Sequence, residues 1–394
     1  MPSTRWPKSE SSQSGPKCET KSCVRIVAEP KCASFRCCQR KIGYANPRRP
    51  PHTPSHLLVA RPRSRPPQKP LVWVLSTGGT IAGQGASSTS LTEYKGGVLT
   101  GLQLVKAVPE IAQIADVRVE QIANVGSANI TIAHWLTLAT RINRIFTDEP
   151  ATAGVVITHG TNTMEETAYF LNLTVKHDRP VVLVGSMRPA SAISADGPLN
   201  LLNAIRTAAS PAARGKGVLL ILNDEINAAR DVTKTNTLRV ETFRSPDLGY
   251  LGFVDGDKIS FYRTPTRRHT TASEFDVTGL QELPSVEILY SYVQPNPILI
   301  QALLSSGVKG IVMAGTGAGL VSDVEKGALA KAKGTVVVRS NRTGSGRVPA
   351  REDYDPLGMI AADNLNPQKA RILLMLALTK TTNLAEIRRI FDEY

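Results

Sequence analysis

Val155 to Thr174 reads Val-Val-Ile-Thr-His-Gly-Thr-Asn-Thr-Met-Glu-Glu-Thr-Ala-Tyr-Phe-Leu-Asn-Leu-Thr, and it points to an open α/β sheet. Val155 to Thr158 is a β-branched run of the kind a fully buried parallel strand needs, and Gly160 lets the backbone turn directly after it. A helix is expected at once. Thr163 and Glu166 have the spacing of a capping box, and Phe170, Leu171, Leu173 and Val175 supply an apolar stripe behind them. Thr161 and Asn162 therefore fall between the carboxyl end of a strand and a helix start. Ligands bind there in parallel sheets because helix-start N–H groups and loop side chains converge.

The same pattern extends in both directions. Upstream, Leu71 to Leu75 is a buried strand running into Ser76-Thr77-Gly78-Gly79-Thr80-Ile81-Ala82-Gly83. Two adjacent glycines permit a tight turn with exposed amides, but the spacing matches neither G-x-G-x-x-G nor G-x4-G-K-[ST], so nucleotide binding is weakly supported. Thr77 and Thr80 carry the remaining chemistry, and a lone loop threonine is more often a turn or capping residue. Downstream, strands are expected at Val181 to Val184 and Val218 to Leu222, with a helix through Leu201, Leu202, Ile205 and Ala208 between them. Lys234 lies in a polar loop, where the simplest reading is a solvated lysine. The pattern weakens over residues 263–285, taken as a linker. A second α/β unit, 286–394, follows with strands at Val286 to Tyr290, Gly310 to Met313 and Thr335 to Arg339. Helices are expected around Asn296 to Ser305, Asp323 to Lys333 and Asn366 to Leu378. The fold class is α/β in two domains, a larger mainly parallel one over 71–262 and a smaller one after the linker.

Composition separates the first 70 residues from the rest. The chain has 394 residues, is 41% hydrophobic, and has no apolar stretch near 18 residues, so a membrane span is not expected. Its net charge of +14 suggests nucleic acid until it is mapped: residues 1–70 hold 15 Lys/Arg against 3 Asp/Glu, which leaves only +2 for the remainder. The same segment holds 12 of the 26 prolines and all five cysteines, without helical or strand periodicity. It reads as a basic disordered tail with no specific nucleic-acid partner. Cys18, Cys23, Cys32, Cys37 and Cys38 offer no C-x2-C pair, which disfavours a zinc site. No apolar h-region follows the basic start, so no signal peptide is visible and the compartment stays unknown.

Other catalytic signatures are absent. There is no H-E-x-x-H, no G-x-S-x-G and no Cys-His pair in the body. Threonine hydroxyls beside a lysine remain, a set able to attack an amide if the lysine is held neutral or coupled to the nucleophile.

Thr77-Gly78-Gly79-Thr80-Ile81-Ala82-Gly83 and His159-Gly160-Thr161-Asn162-Thr163-Met164-Glu165-Glu166-Thr167 resemble the two signatures of bacterial-type L-asparaginases, in particular the type II and glutaminase-asparaginase branch. Met187-Arg188-Pro189, Ser194 to Pro198, Asp231 to Asn236 and Asn366-Pro367 also match, so the resemblance runs from Leu71 to Tyr394. It implies hydrolysis of the side-chain amide of asparagine, and often glutamine, through an acyl-enzyme, with no metal or cofactor. It also implies a homotetramer with shared sites and a periplasmic or secreted location. On this resemblance Thr80 matches the nucleophile, Tyr94 the lid tyrosine that contacts it, and Thr161 and Lys234 the second half of the site. Ser127 matches a substrate-carboxylate contact, and Glu352 an acid donated by a neighbouring subunit.

The chain departs from the pattern at three positions. Asn162 stands where the family has an aspartate that holds the substrate α-ammonium and orients the lysine. Ala128 replaces a glutamine or glutamate that touches the same group, and Leu320 replaces a small polar residue. Loss of a charge-assisted contact costs about 1.5–3 kcal/mol, so weak binding of asparagine, slow turnover or a different amide is expected. A non-catalytic amino-acid-binding homologue and a hydrolase of amides without a free α-amino group are the alternative readings.

Overall fold

The computed structural model describes residues 68–394, and the expectations for the five cysteines and for the basic tail as far as residue 67 lie outside the described residues. Eight strands form the larger sheet: β1 (Leu71–Gly78), β2 (Asp116–Val125), β3 (Thr152–Thr158), β4 (Val181–Val184), β5 (Val218–Leu222), β6 (Glu225–Ala228), β7 (Gly252–Val254) and β8 (Ile259–Phe261). Their spatial order is β8-β7-β6-β5-β4-β3-β1-β2. From β5 to β2 every neighbour is parallel, and β6 to β8 add an antiparallel edge. The chain passes from β1 outward to β2, then returns across β1 to β3 and continues the other way. Winding reverses between β1 and β3, and an open α/β sheet has its ligand crevice at that reversal, outside the carboxyl ends of the two strands.

Alternate residues of these strands feed two cores. Trp73, Leu75, Val155, Ile157, Leu183 and Leu220 face one side, and Val72, Val74, Val156, Val182, Val184 and Leu219 face the other. The first core is covered by helices α1 (Ile132–Asp148) and α2 (Met164–Thr174), and the second by α3 (Gly197–Ala208). Both faces are dry, which is why these strands read as continuous apolar runs. Each fully buried aliphatic side chain contributes about 1.5–3 kcal/mol.

A smaller parallel sheet contains β9 (Val286–Tyr290), β10 (Gly310–Gly315), β11 (Val336–Asn341) and β12 (Ile360–Ala361), in that order. Helix α4 (Pro367–Leu378) packs on it and against α2, so one apolar core runs from the large sheet through two internal helices to the small sheet. Among the described residues no helix is long and apolar enough to cross a membrane.

Three local expectations are corrected. The Thr163 hydroxyl makes no helix cap: it donates to the Ser127 carbonyl at 2.7 Å, so a tertiary acceptor has displaced the capping box. Helix α2 is buried nearly all round, Glu165 and Asn172 included, and so has no single apolar stripe. The helix expected to reach Lys333 stops at Leu329, because the chain tightens there into i→i+3 bonds, Lys331 to Ala328 at 3.2 Å and Ala332 to Leu329 at 2.9 Å.

Candidate active site

The strand register brings the two signature turns together. Ser76 lies opposite Thr158, and Thr158 Oγ1 donates to Ser76 Oγ while Thr77 Oγ1 donates to the Thr158 carbonyl, each at 2.9 Å. Both strands then break into glycine. At Gly79, with φ of 85°, a Cβ would lie 2.2 Å from the Gly160 Cα, and one at Gly160 would lie 2.8 Å from Ser127 Oγ. Only backbone fits between the turns. Thr80 and Thr161 are the first side chains after this contact.

Thr80 opens a one-turn 3-10 helix, Thr80–Ala82, and its Oγ1 lies 2.9 Å from the Tyr94 hydroxyl. Tyr94 belongs to a small hairpin, Gln84–Gly85 paired with Tyr94–Lys95, whose tip carries exposed Ser and Thr side chains. The hairpin is fastened to the loop before α3: Ala190 N–H donates to the Gly83 carbonyl, Ile193 N–H to the Ser88 carbonyl, and Gly85 N–H to Ser191 Oγ, all at 2.9 Å.

The second half of the site is built around Lys234. Its Nζ donates to Thr161 Oγ1 and to Asn162 Oδ1, each at 2.9 Å. Lys234 is not in a free loop as expected but in a two-residue strand, Thr233–Lys234, paired with Phe243–Arg244. Burial lowers its pKa from the ordinary lysine value, and the Glu165 charge opposes that shift. Thr161 is buried and Asn162 exposed at the cleft. Asn162, Lys234, Thr235, Asn236 and Thr237 line an opening of about 460 Å³.

Ser127 follows β2 in a 3-10 turn and is buried, with its Oγ accepting the Asn162 N–H at 3.0 Å. Ala128 is exposed beside it and offers only a methyl group. Glu352 is exposed at the start of the Glu352–Leu357 3-10 helix, and no hydrogen bond or ion pair among the described residues joins it to Thr80, Thr161 or Lys234. Within one chain, then, Thr161, Asn162, Ser127 and Lys234 form one hydrogen-bonded group, Thr80 and Tyr94 a second, and Glu352 stands apart.

A buried histidine braces the turn. His159 is fully buried and its pKa is pushed down to about 4, chiefly by desolvation. The Gly160 carbonyl, 2.7 Å from Nδ1, can only accept, so Nδ1 carries the proton and Nε2 accepts from Thr167 Oγ1 at 2.9 Å. Trp135 Nε1–H donates to the same hydroxyl oxygen at 2.8 Å. Sequence reading also missed Glu165 and Lys369. The signal for Lys369 was its place on the stripe of Ile372, Leu373 and Leu376, where a lysine is out of character.

Two family models match the chain, "Asparaginase, N-terminal" over residues 71–267 and "Glutaminase/Asparaginase C-terminal domain" over 285–391. The chain is 53% identical over 327 residues to L-asparaginase 2 of Bacillus subtilis (strain 168), covering 82% of this chain and 87% of that protein. It is 49% identical over 329 residues to L-asparaginase 2 of Escherichia coli (strain K12), covering 82% and 93%. The glutaminase-asparaginase of Pseudomonas fluorescens biotype A is 46% identical over 328 residues, with 82% and 90% covered. Among solved structures, a probable cytoplasmic L-asparaginase from Campylobacter jejuni superposes with a TM-score of 0.81 at 48% identity, covering 83% of this chain and all of that one. With both lobes matched in sequence and in fold, the chain belongs to the asparaginase and glutaminase-asparaginase family of amidohydrolases.

Proposed function

We propose that the protein hydrolyses a small side-chain amide to the acid and ammonia, with Thr80 as the nucleophile, and that its grip on a substrate α-ammonium is weakened. The observation that carries this reading is the Lys234 ammonium shared between Thr161 Oγ1 and Asn162 Oδ1, across the Gly79–Gly160 contact from the Thr80–Tyr94 pair. Thr80 Oγ1 attacks the amide carbon, and its proton is relayed through the Tyr94 hydroxyl, which gives up its own proton to the leaving amide nitrogen as it takes the one from Thr80. Collapse of the tetrahedral intermediate expels ammonia and leaves an ester on Thr80. Water, deprotonated through Thr161 and Lys234, attacks that ester, and Thr80 recovers its proton as the acid departs. Desolvation supports this role for Lys234, because it brings the neutral form closer to working pH. The Asn162 N–H is held by Ser127 Oγ, so the oxyanion role falls to other amides of the two turns.

Asparagine and glutamine are the first substrates to test, on the strength of the relatives' names. Asn162 and Ala128 favour a second candidate class, amides without a free α-amino group, since neither side chain supplies a negative charge. Glu352 is proposed to serve the site of a neighbouring copy in a homotetramer. The test is ammonia release from asparagine, glutamine and amides lacking the α-amino group, run beside Thr80→Ala. Thr80-dependent release from at least one amide is expected. Ligand-induced thermal stabilisation with no turnover would instead favour a binding protein.

A further inference from the structure

Lys234 sits on a strand of two residues, too short to order a long cation by itself. Two buried charges from other elements hold the backbone at Lys234 and just ahead of it. Glu165, in the first turn of α2, accepts the Lys234 N–H on Oε2 at 2.9 Å, and Gln368 Nε2 donates to the other carboxylate oxygen. Lys369, on α4 and only 2% exposed, donates from Nζ to the Arg230 carbonyl at 2.8 Å and to the Val232 carbonyl. Those carbonyls lie four and two residues ahead of Lys234.

A buried ammonium is costly where a leucine would pack, and this one is held by main-chain oxygens of the segment that delivers Lys234. We propose that Glu165 and Lys369 are positioning residues for Lys234, the first fixing its strand through the backbone N–H and the second setting the path of residues 230–232 leading into it. The proposal rests on Lys234 acting in the amide chemistry above. Burial brings the Lys369 pKa down to about 8, while Glu165 and Asp231 hold it up and Arg230 opposes them. Glu166 is the neighbouring charge of Glu165 in the same turn, and Arg371 in turn faces Glu166.

The test reads Lys234 directly. Its acetylation by an amine-specific reagent, followed by peptide mass across pH, gives a midpoint without any turnover. Glu165→Gln removes the charge that raises the Lys234 proton affinity, so the midpoint should fall. Gln368→Met, at a half-buried position, removes the neutral group that holds the Glu165 carboxylate and should lower kcat. Lys369→Met should lower kcat on the order of 10- to 100-fold while KM changes less than about 3-fold, as expected for a misplaced catalytic group. An unmoved midpoint in Glu165→Gln overturns the proposal, as does wild-type kcat in Gln368→Met or in a folded Lys369→Met protein. If Lys369→Met does not fold, Lys369→Arg carries that half on the same kcat and KM readout, since it keeps the buried charge but not the single ammonium between the two carbonyls. Wild-type kcat in Lys369→Arg overturns the proposal. Absence of ammonia release by the wild type would overturn the amide reading and leave the acetylation result standing, so the two fail separately.

Discussion

Replacing Asn162 by aspartate tests the departure on which substrate choice turns. Lys234 Nζ donates to Asn162 Oδ1 at 2.9 Å, and the amide is exposed at the cleft. At that separation two full charges interact by about 6 kcal/mol at an effective dielectric of ~20 and about 1.4 kcal/mol in bulk water. Exposure favours the lower part of that range, and a charge-assisted hydrogen bond to a substrate ammonium is worth about 1.5–3 kcal/mol. Asn162→Asp should therefore raise kcat/KM for asparagine by about 10- to 150-fold. The assay is steady-state ammonia release, with an amide lacking the α-amino group as the internal control. The control should not gain, because it brings no ammonium to the new carboxylate. A second consequence follows for Lys234: a carboxylate in contact raises its pKa, so the limb of the pH profile set by that group should move to higher pH. A flat response on asparagine would refute the reasoning. So would an equal gain on both substrates, since the effect would then lie in Lys234 alone.

Tyr94→Phe removes the hydroxyl 2.9 Å from Thr80 Oγ1 and should lower kcat by about 10²-fold, with the urea midpoint of unfolding unchanged. Gly79→Ala forces a Cβ to 2.2 Å from the Gly160 Cα at a φ of 85°, and should destabilise by more than about 3 kcal/mol in denaturant titration. The His159 pKa is depressed in the folded state to about 4 from 6.5, so its contribution is fully present above about pH 6.5 and is lost as pH falls toward about 4. Thermal melts should show a steep loss of stability over that interval, and a flat Tm there would mean that the imidazole is not buried as described.

Legibility of the sequence followed burial. Val181–Val184, Val218–Leu222 and Val286–Tyr290 stand where their apolar runs put them. The first two lie wholly inside, and the third is an edge strand with an uninterrupted enough pattern. The antiparallel edge β6 to β8 is not legible as strand, because its segments are only three or four residues long and two of them carry polar side chains. A signal for it existed. Asn223 and Asp224 sit at φ of 54° and 63° between β5 and β6, the two-residue hairpin turn that Asn and Asp favour. Strand β2 alternates partly buried with exposed positions along much of its length and was passed over for want of a continuous run. At the site, Thr80 with Tyr94 and Thr161 with Lys234 were paired by resemblance, whereas the grip of Glu165 and Lys369 joins residues 69 and 137 to 139 positions apart, beyond the reach of any local pattern.

The contact between Gly79 and Gly160 also says where this enzyme can be remodelled. Neither glycine can accept a methyl group without driving two strand ends apart, so the floor of the crevice admits no variation. The rim differs: Ala128 and the Thr235 to Thr237 segment belong to open surface, where a larger or charged side chain meets solvent first. Redesign for a new amide therefore has its freedom at the mouth of the crevice, with the reacting groups left on a base that tolerates no change.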